Sequence, residues 1–533
     1  MNRTPLLGFW VAMCIAAFVF SALAALIYAS PSFNVLQVWQ DPYYRHVTQF
    51  SFYQSFLSTL LSVGLALPVA HALSRRTFFA KSLLLKLFGA TLVMPVLVGV
   101  FGLLAIYGNS GLLADLFAQF DAKLPFSIYG LNGILLAHVF FNLPYAARLL
   151  LQSLEAIPQE QHKLCAHLGM SQWQKFKWVE WPRLRQQLPH VSGMVFMLCF
   201  TSFATVMALG GGPKSTTIEL AIYQAIKFDF DLQAGALLAI WQMLLCGSLA
   251  LAIQRVAKPV AVTSGSKTYH HYLVNDSRGA QWWDRVWIAA SVCLVVPPLV
   301  IVFLGGINTK ALSVLADERF WQALLASLQV ALVASVIALS AGIAILTTTR
   351  RLRLNAKRRQ ADQLELIGTI ILVTPGLVIS TGLFLLLRNI TDVFSLAYVV
   401  VVAVNALMGL PYVVKTLSQP MLQIEQQYQR LAASLGLKGW QRFKVVEWRG
   451  LRKPMANAFA ISFVLAMGDL SAIALFGSQE FRTLPLYLFQ LLGSYQMEAA
   501  AVVSLVLLLL SVGTFALIEK LFSANHKVNY VKR

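Results

Sequence analysis

The sequence predicts an all-α polytopic membrane protein of about twelve spans, built as two parallel six-helix repeats. Three observations carry that prediction: apolar runs of spanning length, basic residues gathered on alternate loops, and a long segment that occurs twice. Of the 533 residues 58% are hydrophobic and 12% charged, about half the charge of an ordinary soluble domain. A run of about 20 apolar residues crosses a hydrocarbon core roughly 30 Å thick. Such runs fall near 8–29, 55–74, 88–107, 131–150, 190–210, 234–253, 286–305, 325–348, 367–387, 393–415, 456–476 and 500–519.

A net charge of +20 in a soluble chain would suggest nucleic acid, so the placement of the 42 Lys and Arg residues matters. With the N-terminus cytoplasmic, about 34 lie on the cytoplasmic side and about 8 on the other, as the positive-inside rule requires. Arg75, Arg76, Lys81 and Lys86 follow the second run, and Arg350, Arg351, Arg353, Lys357, Arg358 and Arg359 follow the eighth. The charge therefore records topology, with both termini cytoplasmic, and argues against nucleic-acid binding. Gly8–Ala29 behind Arg3 is longer than the 7 to 15 apolar residues of a signal peptide, which favours an uncleaved first span. Cys14, Cys165, Cys199, Cys246 and Cys293 are odd in number and scattered, with neither disulfide nor metal spacing.

The repeat is explicit. Leu168–Arg185, LGMSQWQKFKWVEWPRLR, returns as Leu435–Arg452, LGLKGWQRFKVVEWRGLR, with eleven of eighteen positions identical. The same offset of 267 carries Leu143-Pro144-Tyr145 onto Leu410-Pro411-Tyr412, and nearby offsets relate Arg75-Arg76 to Arg350-Arg351 and Met94-Pro95 to Thr374-Pro375. Six spans per half start both halves on one face, which makes the repeat parallel about an axis along the membrane normal. The domains are then a first six-span repeat over 1–255 (core about 51–255), a polar cytoplasmic linker over 256–285, and a second repeat over 286–533 (core about 323–519).

The repeated segment sits in a loop of about 40 residues, longer than helix connection needs. In each copy a polar helical stretch, Leu154–Leu168 or Gln423–Leu435, reaches Gly169 or Gly436, the residue type that permits a left-handed helix end. A short helix follows, with Trp173, Phe176 and Val179, or Trp440, Phe443 and Val446, at a spacing of three. One reading is an amphipathic helix on the bilayer surface. The other is a helix offered to the groove of a cytoplasmic partner, present twice because the loop is.

The loop resembles the EAA coupling loop of type I ATP-binding-cassette importer permeases, approximately E-A-A-x-x-L-G. The matching stretches are Lys163-Leu164-Cys165-Ala166-His167-Leu168-Gly169 and Arg430-Leu431-Ala432-Ala433-Ser434-Leu435-Gly436. The leading Glu is replaced by Lys163 and Arg430, and Pro182 becomes Arg449 in the second copy. More narrowly, the fused double form, the EWPRLR stretch Glu180–Arg185, Leu209–Pro213 and Thr217–Gln224 are similar to the permeases of Gram-negative thiamine importers. The resemblance implies a multi-pass protein of the bacterial inner membrane that passes thiamine and its phosphates from periplasm to cytoplasm. It implies a periplasmic binding protein and two copies of a separate ATPase as partners, so that this chain is no enzyme, binds no cofactor and leaves ATP to a partner subunit. Gly169, Trp173, Phe176, Glu180, Gly436, Trp440, Phe443 and Glu447 become the ATPase-coupling residues.

Other motifs weigh less. GGGPKST at Gly210–Thr216 lacks the Gly before Lys and the preceding strand of a phosphate-binding loop. Asp469 is the one acidic residue deep in a predicted span; it serves either to attract a cationic substrate or as a hydrogen-bonded structural carboxyl. His138 and its repeat equivalent Asn405 either line a path or bond a neighbouring helix. Pro144 and Pro411 are candidate kinks where their helices feed the loops. A secondary transporter of parallel-repeat architecture, a permease for iron or polyamine and a membrane enzyme are the competing classes. The second needs only the same spans and loops; the first wants a deeper ion relay and the last a cluster of catalytic groups.

Overall fold

The computed structural model describes residues 6–30, 35–122, 124–256, 277–369, 374–388, 390, 392–437 and 439–523. Among them are helices and connecting turns and no strand. Among the described residues ten helices are long and apolar enough to cross a membrane, eleven when a pair bent by 53° near residue 201 is taken as one span. The expected ninth span, 367–387, is represented by the 13-residue helix Gly376–Arg388, and its residues 370–373 lie outside those described.

In chain order the first repeat contains α1 (Leu7–Ala29), α2 (Pro42–Arg75), α3 (Lys81–Val93), α4 (Val96–Tyr107), α5 (Leu131–Glu155), α6 (Gln159–His167), α7 (Gln172–Lys175), α8 (Trp181–Phe200), α9 (Phe203–Leu209), α10 (Ile218–Lys227) and α11 (Leu232–Val256). The expected third span is broken between α3 and α4 at Met94-Pro95, because a proline disfavours helical backbone at the residue before it. The rest includes α12 (Arg278–Gly305), α13 (Glu318–Leu354), α14 (Arg358–Gly368), α15 (Gly376–Arg388), α16 (Ala397–Ser434), α17 (Gly439–Arg442), α18 (Trp448–Gly468), α19 (Ser471–Phe476), α20 (Leu484–Gly493) and α21 (Met497–Ser523). Of the expected linker, 257–276 lies outside the described residues, while 278–285 is already helix, opened by Ser277, whose Oγ accepts from Ala280 N at 3.2 Å.

Two compact units emerge, and they do not follow the sequence halves. One comprises 1–35, 222–243 and 309–533; the other comprises 36–221 and 244–308. Each half's first long helix thus belongs with the other half's residues: α1 packs on α13 and α15, and α12 packs on α2 and α4. The α1 contact is close at both ends. Gly8 N donates to Thr348 Oγ1 at 3.1 Å, and Gly382 lies so near the Ala22 carbonyl that a side chain there would collide with backbone. The unit holding the first repeat's loop is centred on Val63, Ala66, Ala70, Leu143, Ala147 and Val191, small or branched residues of α2, α5 and α8 that let helices approach in the absence of a water-driven force. In the other unit α13, α16 and α18 form the corresponding core.

One tie occurs in both units. Ser51 Oγ accepts from Ile218 N at 3.0 Å, and Ser327 Oγ accepts from Leu484 N at 2.7 Å, so a serine of α2 or α13 holds the first turn of the short apolar helix α10 or α20. Four backbone N–H groups open every helix unpaired, and a hydroxyl brought across the core satisfies one where no water is at hand.

Candidate functional site: the duplicated loops and the buried polar positions

Both repeated loops end their first helix in the same way. Gly169 has φ +61° and Gly436 φ +65°. Met170 N donates to Cys165 O at 3.1 Å and Gly169 N to Ala166 O at 3.1 Å; Leu437 N donates to Ala432 O at 2.9 Å and Gly436 N to Ala433 O at 3.2 Å. These paired bonds are the Schellman arrangement, which recovers the last carbonyls of a helix when one residue turns left-handed. A Cβ at either glycine would meet nothing within 4 Å, so only backbone conformation selects glycine here.

Beyond the glycine each copy contains a short helix and then one turn of π-helix, Phe176–Glu180 or Phe443–Glu447, leading into α8 or α18. Ser171 opens α7 with a reciprocal capping box to Gln174. The expected outward stripe divides. Trp173 is 70% exposed, whereas Phe176 and Val179 pack against the core, with Phe176 edge-on to His71 at 5.1 Å and stacked on Trp173 at 5.7 Å. Phe443 is half-buried and lies 6.1 Å from Trp448. Trp440 belongs to α17, and its side chain lies outside the described residues.

Glu180 and Glu447 do not reach outward; both are buried and fasten the loop to the C-terminal end of α2 or α13. Glu180 Oε2 lies 2.9 Å from His71 Nε2, and its Oε1 lies 3.5 Å from Lys175 Nζ. Glu447 Oε1 accepts from Arg350 at 3.0 Å and lies 3.5 Å from Arg442 Nε. The second copy adds Glu425, fully buried, paired with Arg442 and 3.6 Å from Arg350. Burial by itself lowers the Arg442 pKa; the Glu425 hydrogen bond and the Glu425 and Glu447 charges more than offset that and raise it above its ordinary value. In the first copy the arginines turn elsewhere. Arg75 and Arg76 meet Asp284 of α12 at 2.6 Å and 2.7 Å, and Arg75 donates to Gln172 of α7 at 3.2 Å.

Sequence reasoning missed the apolar residues that each loop leaves uncovered. On the helix before the glycine, Leu164 and Leu168 are 57% and 63% exposed, and their repeat equivalents Leu431 and Leu435 are 54% and 64% exposed. A spacing of four sets each pair on one helix face. In the first copy they border a groove of about 460 Å³ with Met170, Trp178 and Pro182. The signal is the L-G ending of the resembled motif, which places a leucine directly before each glycine.

The three candidate path residues are placed differently from one another. His138 is buried, with Nδ1 2.8 Å from Ser58 Oγ and Nε2 2.8 Å from Ser202 Oγ, so both ring nitrogens are engaged within its own unit. Asn405 is buried and donates to Val401 O at 3.0 Å. Asp469 accepts from Ser471 N at 3.1 Å, Ser471 Oγ at 2.7 Å and Ala472 N at 3.2 Å, which makes it the cap of α19 where the chain breaks after α18. Asp469 and Ser202 correspond under the 267 offset, as do Asn405 and His138. Gly211 and Gly212 have φ +69° and +141° and precede a single 3₁₀ turn, Pro213–Ser215, so the GGGPKST stretch is a glycine-built bend between helices.

Comparison with known proteins agrees with this architecture. Residues 343–523 match the family model described as "Binding-protein-dependent transport system inner membrane component". The chain is 46% identical to the thiamine transport system permease protein of Escherichia coli (strain K12), over 99% of both chains. It is 41% identical to the protein of that name from Haemophilus influenzae (strain ATCC 51907 / DSM 11121 / KW20 / Rd), over 90% of this chain and 89% of the other. With that of Brucella abortus (strain 2308) it shares 37%, over 88% and 86%. Full-length likeness at this level, joined to the duplicated loops and the spanning helices, places the chain in the family of thiamine transport system permeases, multi-pass inner-membrane proteins of binding-protein-dependent transport.

Proposed function

We propose that this chain is the membrane-spanning permease of an ATP-binding-cassette importer, taking thiamine, and thiamine phosphates with it, from a periplasmic binding protein and releasing it to the cytoplasm. The observation that carries this reading is the 46% identity to a thiamine transport permease across 99% of both chains. The two repeats, 1–255 and 286–533, act as the two permease units, with both termini cytoplasmic and one ATPase copy on each loop. The chain does no chemistry and holds no cofactor; ATP is consumed by the partner.

Each Schellman-capped helix offers its partner an exposed leucine pair: Leu164 and Leu168 in one loop, Leu431 and Leu435 in the other. A short helix with apolar side chains at spacing four suits a groove in a second protein. Glu180 and Glu447 hold each loop to the end of α2 or α13, so a push on the loop is delivered to those helices through His71 or Arg350. His138 and Asp469 act as structural polar groups in this reading, with both ring nitrogens and both carboxylate oxygens bonded, whereas Asn405 is bonded through its amide N–H and keeps a buried Oδ1 without a partner among the described residues.

The test is uptake of labelled thiamine by cells expressing the chain with its ATPase and binding protein, with and without ATP depletion at a maintained proton gradient. ATP-dependent uptake is the expected result. Uptake that survives ATP depletion points to the secondary transporter, and ATP-dependent uptake of iron or a polyamine in place of thiamine corrects the substrate alone.

A further inference from the structure

The unit holding the first repeat's loop has an apolar groove of about 430 Å³ between α2, α5 and α12. Leu61, Leu65 and Val69 form one wall, Leu136 and Leu143 belong to a second, and Trp287 and Leu294 to the third. From Leu135 to Leu143 the groove follows eight residues of helix, about 12 Å, against roughly 15 Å for one leaflet. Its mouth is open, with Leu61 and Ala290 exposed on two of its helices. Two polar groups enter the lining. Ser291 Oγ is spent on Ile288 O at 2.7 Å, whereas Trp287 Nε1 is buried with no hydrogen-bond partner among the described residues.

What lies beyond the Trp287 end argues for the occupant. One helical turn before Trp287 on α12 is Asp284, and beyond Val69 α2 ends at Arg75 and its extended cap residue Arg76. Arg75 and Arg76 both bond Asp284, so two guanidiniums face one carboxylate and the cluster is net positive. Trp282 and Trp283 lie exposed beside it, Trp283 edge-on to Trp287 at 5.7 Å, in the aromatic pattern of a membrane interface. An apolar trough over most of a leaflet's depth thus ends at an unsatisfied donor, followed by excess positive charge.

We propose that this groove is a phospholipid site: one acyl chain fills the trough, an ester or phosphate oxygen accepts from Trp287 Nε1, and the phosphate lies toward the Arg75–Arg76–Asp284 cluster. A bound lipid would brace α12 against α2 and α5.

Native mass spectrometry of the full chain, released from mild detergent, tests this with phosphatidylglycerol as probe and the diacylglycerol of the same acyl chains as its phosphate-free control. One phosphatidylglycerol retained per chain in preference to the diacylglycerol is expected. Trp287→Phe keeps the ring, removes the donor and weakens retention about fivefold; Ala290→Trp, at the exposed mouth, fills the trough and abolishes it. Equal retention by wild type and both variants, or equal retention of the two probes, overturns the proposal. Should Ala290→Trp fail to fold, quenching by phosphatidylglycerol with brominated acyl chains decides: the quenched emission of wild type contains a component missing in Trp287→Phe, and identical quenching of the two sinks the site.

Discussion

The two loops share a sequence, a helix end and a π turn, yet they are fastened by different chemistry. At one repeat position the first copy has Pro158 and the second Glu425, related by the same offset of 267 as the loops themselves. Pro158 divides α5 from α6; Glu425 leaves α16 unbroken through 38 residues and sits buried between Arg350 and Arg442. Lacking that carboxylate, the first copy recruits Asp284 from α12 for Arg75 and Arg76 and leaves Glu180 to His71 and Lys175. Duplication preserved what the loop presents and let its attachment drift.

The largest effect expected from breaking that attachment is at the buried carboxylates. Asp284→Ala takes the carboxylate from Arg75 and Arg76, and Glu425→Ala leaves Arg350 and Arg442 to share Glu447. Removing one member of a buried ion pair costs about 3–5 kcal/mol, read as a fall in unfolding free energy of the purified chain in detergent. Asp284 and Glu425 share no partner among the described residues, so the double variant loses about the sum of the two. A double variant no worse than either single one would mean that the attachments are a single network.

Substitutions at the divergent position itself separate the cost of the helix break from that of the carboxylate. Glu425→Pro inserts a proline into a continuous helix as well as removing the carboxylate, so it loses about 3 kcal/mol beyond Glu425→Ala. Pro158→Ala, at a break already followed by its own helix, changes stability by less than about 1 kcal/mol. Thermal unfolding of the two variants side by side reads the asymmetry, and equal losses would argue that the break at Pro158 is itself a required feature.

The glycines are smaller and symmetric. At φ +61° and +65° with open space around the missing Cβ, Gly169→Ala and Gly436→Ala each cost about 1–2 kcal/mol from backbone conformation alone. Asn, which tolerates the left-handed region better, costs less. If Asn is as harmful as Ala in thermal unfolding, something other than φ selects glycine.

Much of this was legible beforehand. Apolar length, alternate-loop charge and the eighteen-residue repeat predict a two-repeat helical membrane protein, and the position of Gly169 and Gly436 predicts their left-handed backbone, because helix-end conformation is set by neighbours in sequence. The exchange of α1 and α12 between compact units was not legible: hydropathy measures whether a helix prefers lipid, and Ala22 against Gly382 is a matter of shape. Glu180 and Glu447 were expected among the ATPase-coupling residues; their burial depends on His71 and Arg350, about a hundred residues earlier. The divergence at Pro158 and Glu425 was in the sequence, but its meaning depended on knowing which arginines lay within reach.

The smallest stability change is expected where function is most exposed. Leu164 and Leu168 together to Ser, or Leu431 and Leu435 together to Ser, remove apolar groups that are more than half exposed in the isolated chain, and exposed substitutions of this kind usually stay within about 0.5 kcal/mol. Thermal unfolding should barely move, while each pair lowers co-purification of the ATPase and thiamine uptake at least tenfold, the scale on which a lost interface anchor acts. Because attachment differs between the copies while the leucines do not, the two pairs should fail equally. Unequal failure would mean that the attachment, His71 and Asp284 in one copy or Arg350 and Glu425 in the other, sets how much of the ATPase stroke each half receives; unchanged uptake in both would remove the leucines from the docking face and return that role to Trp173 and its neighbours.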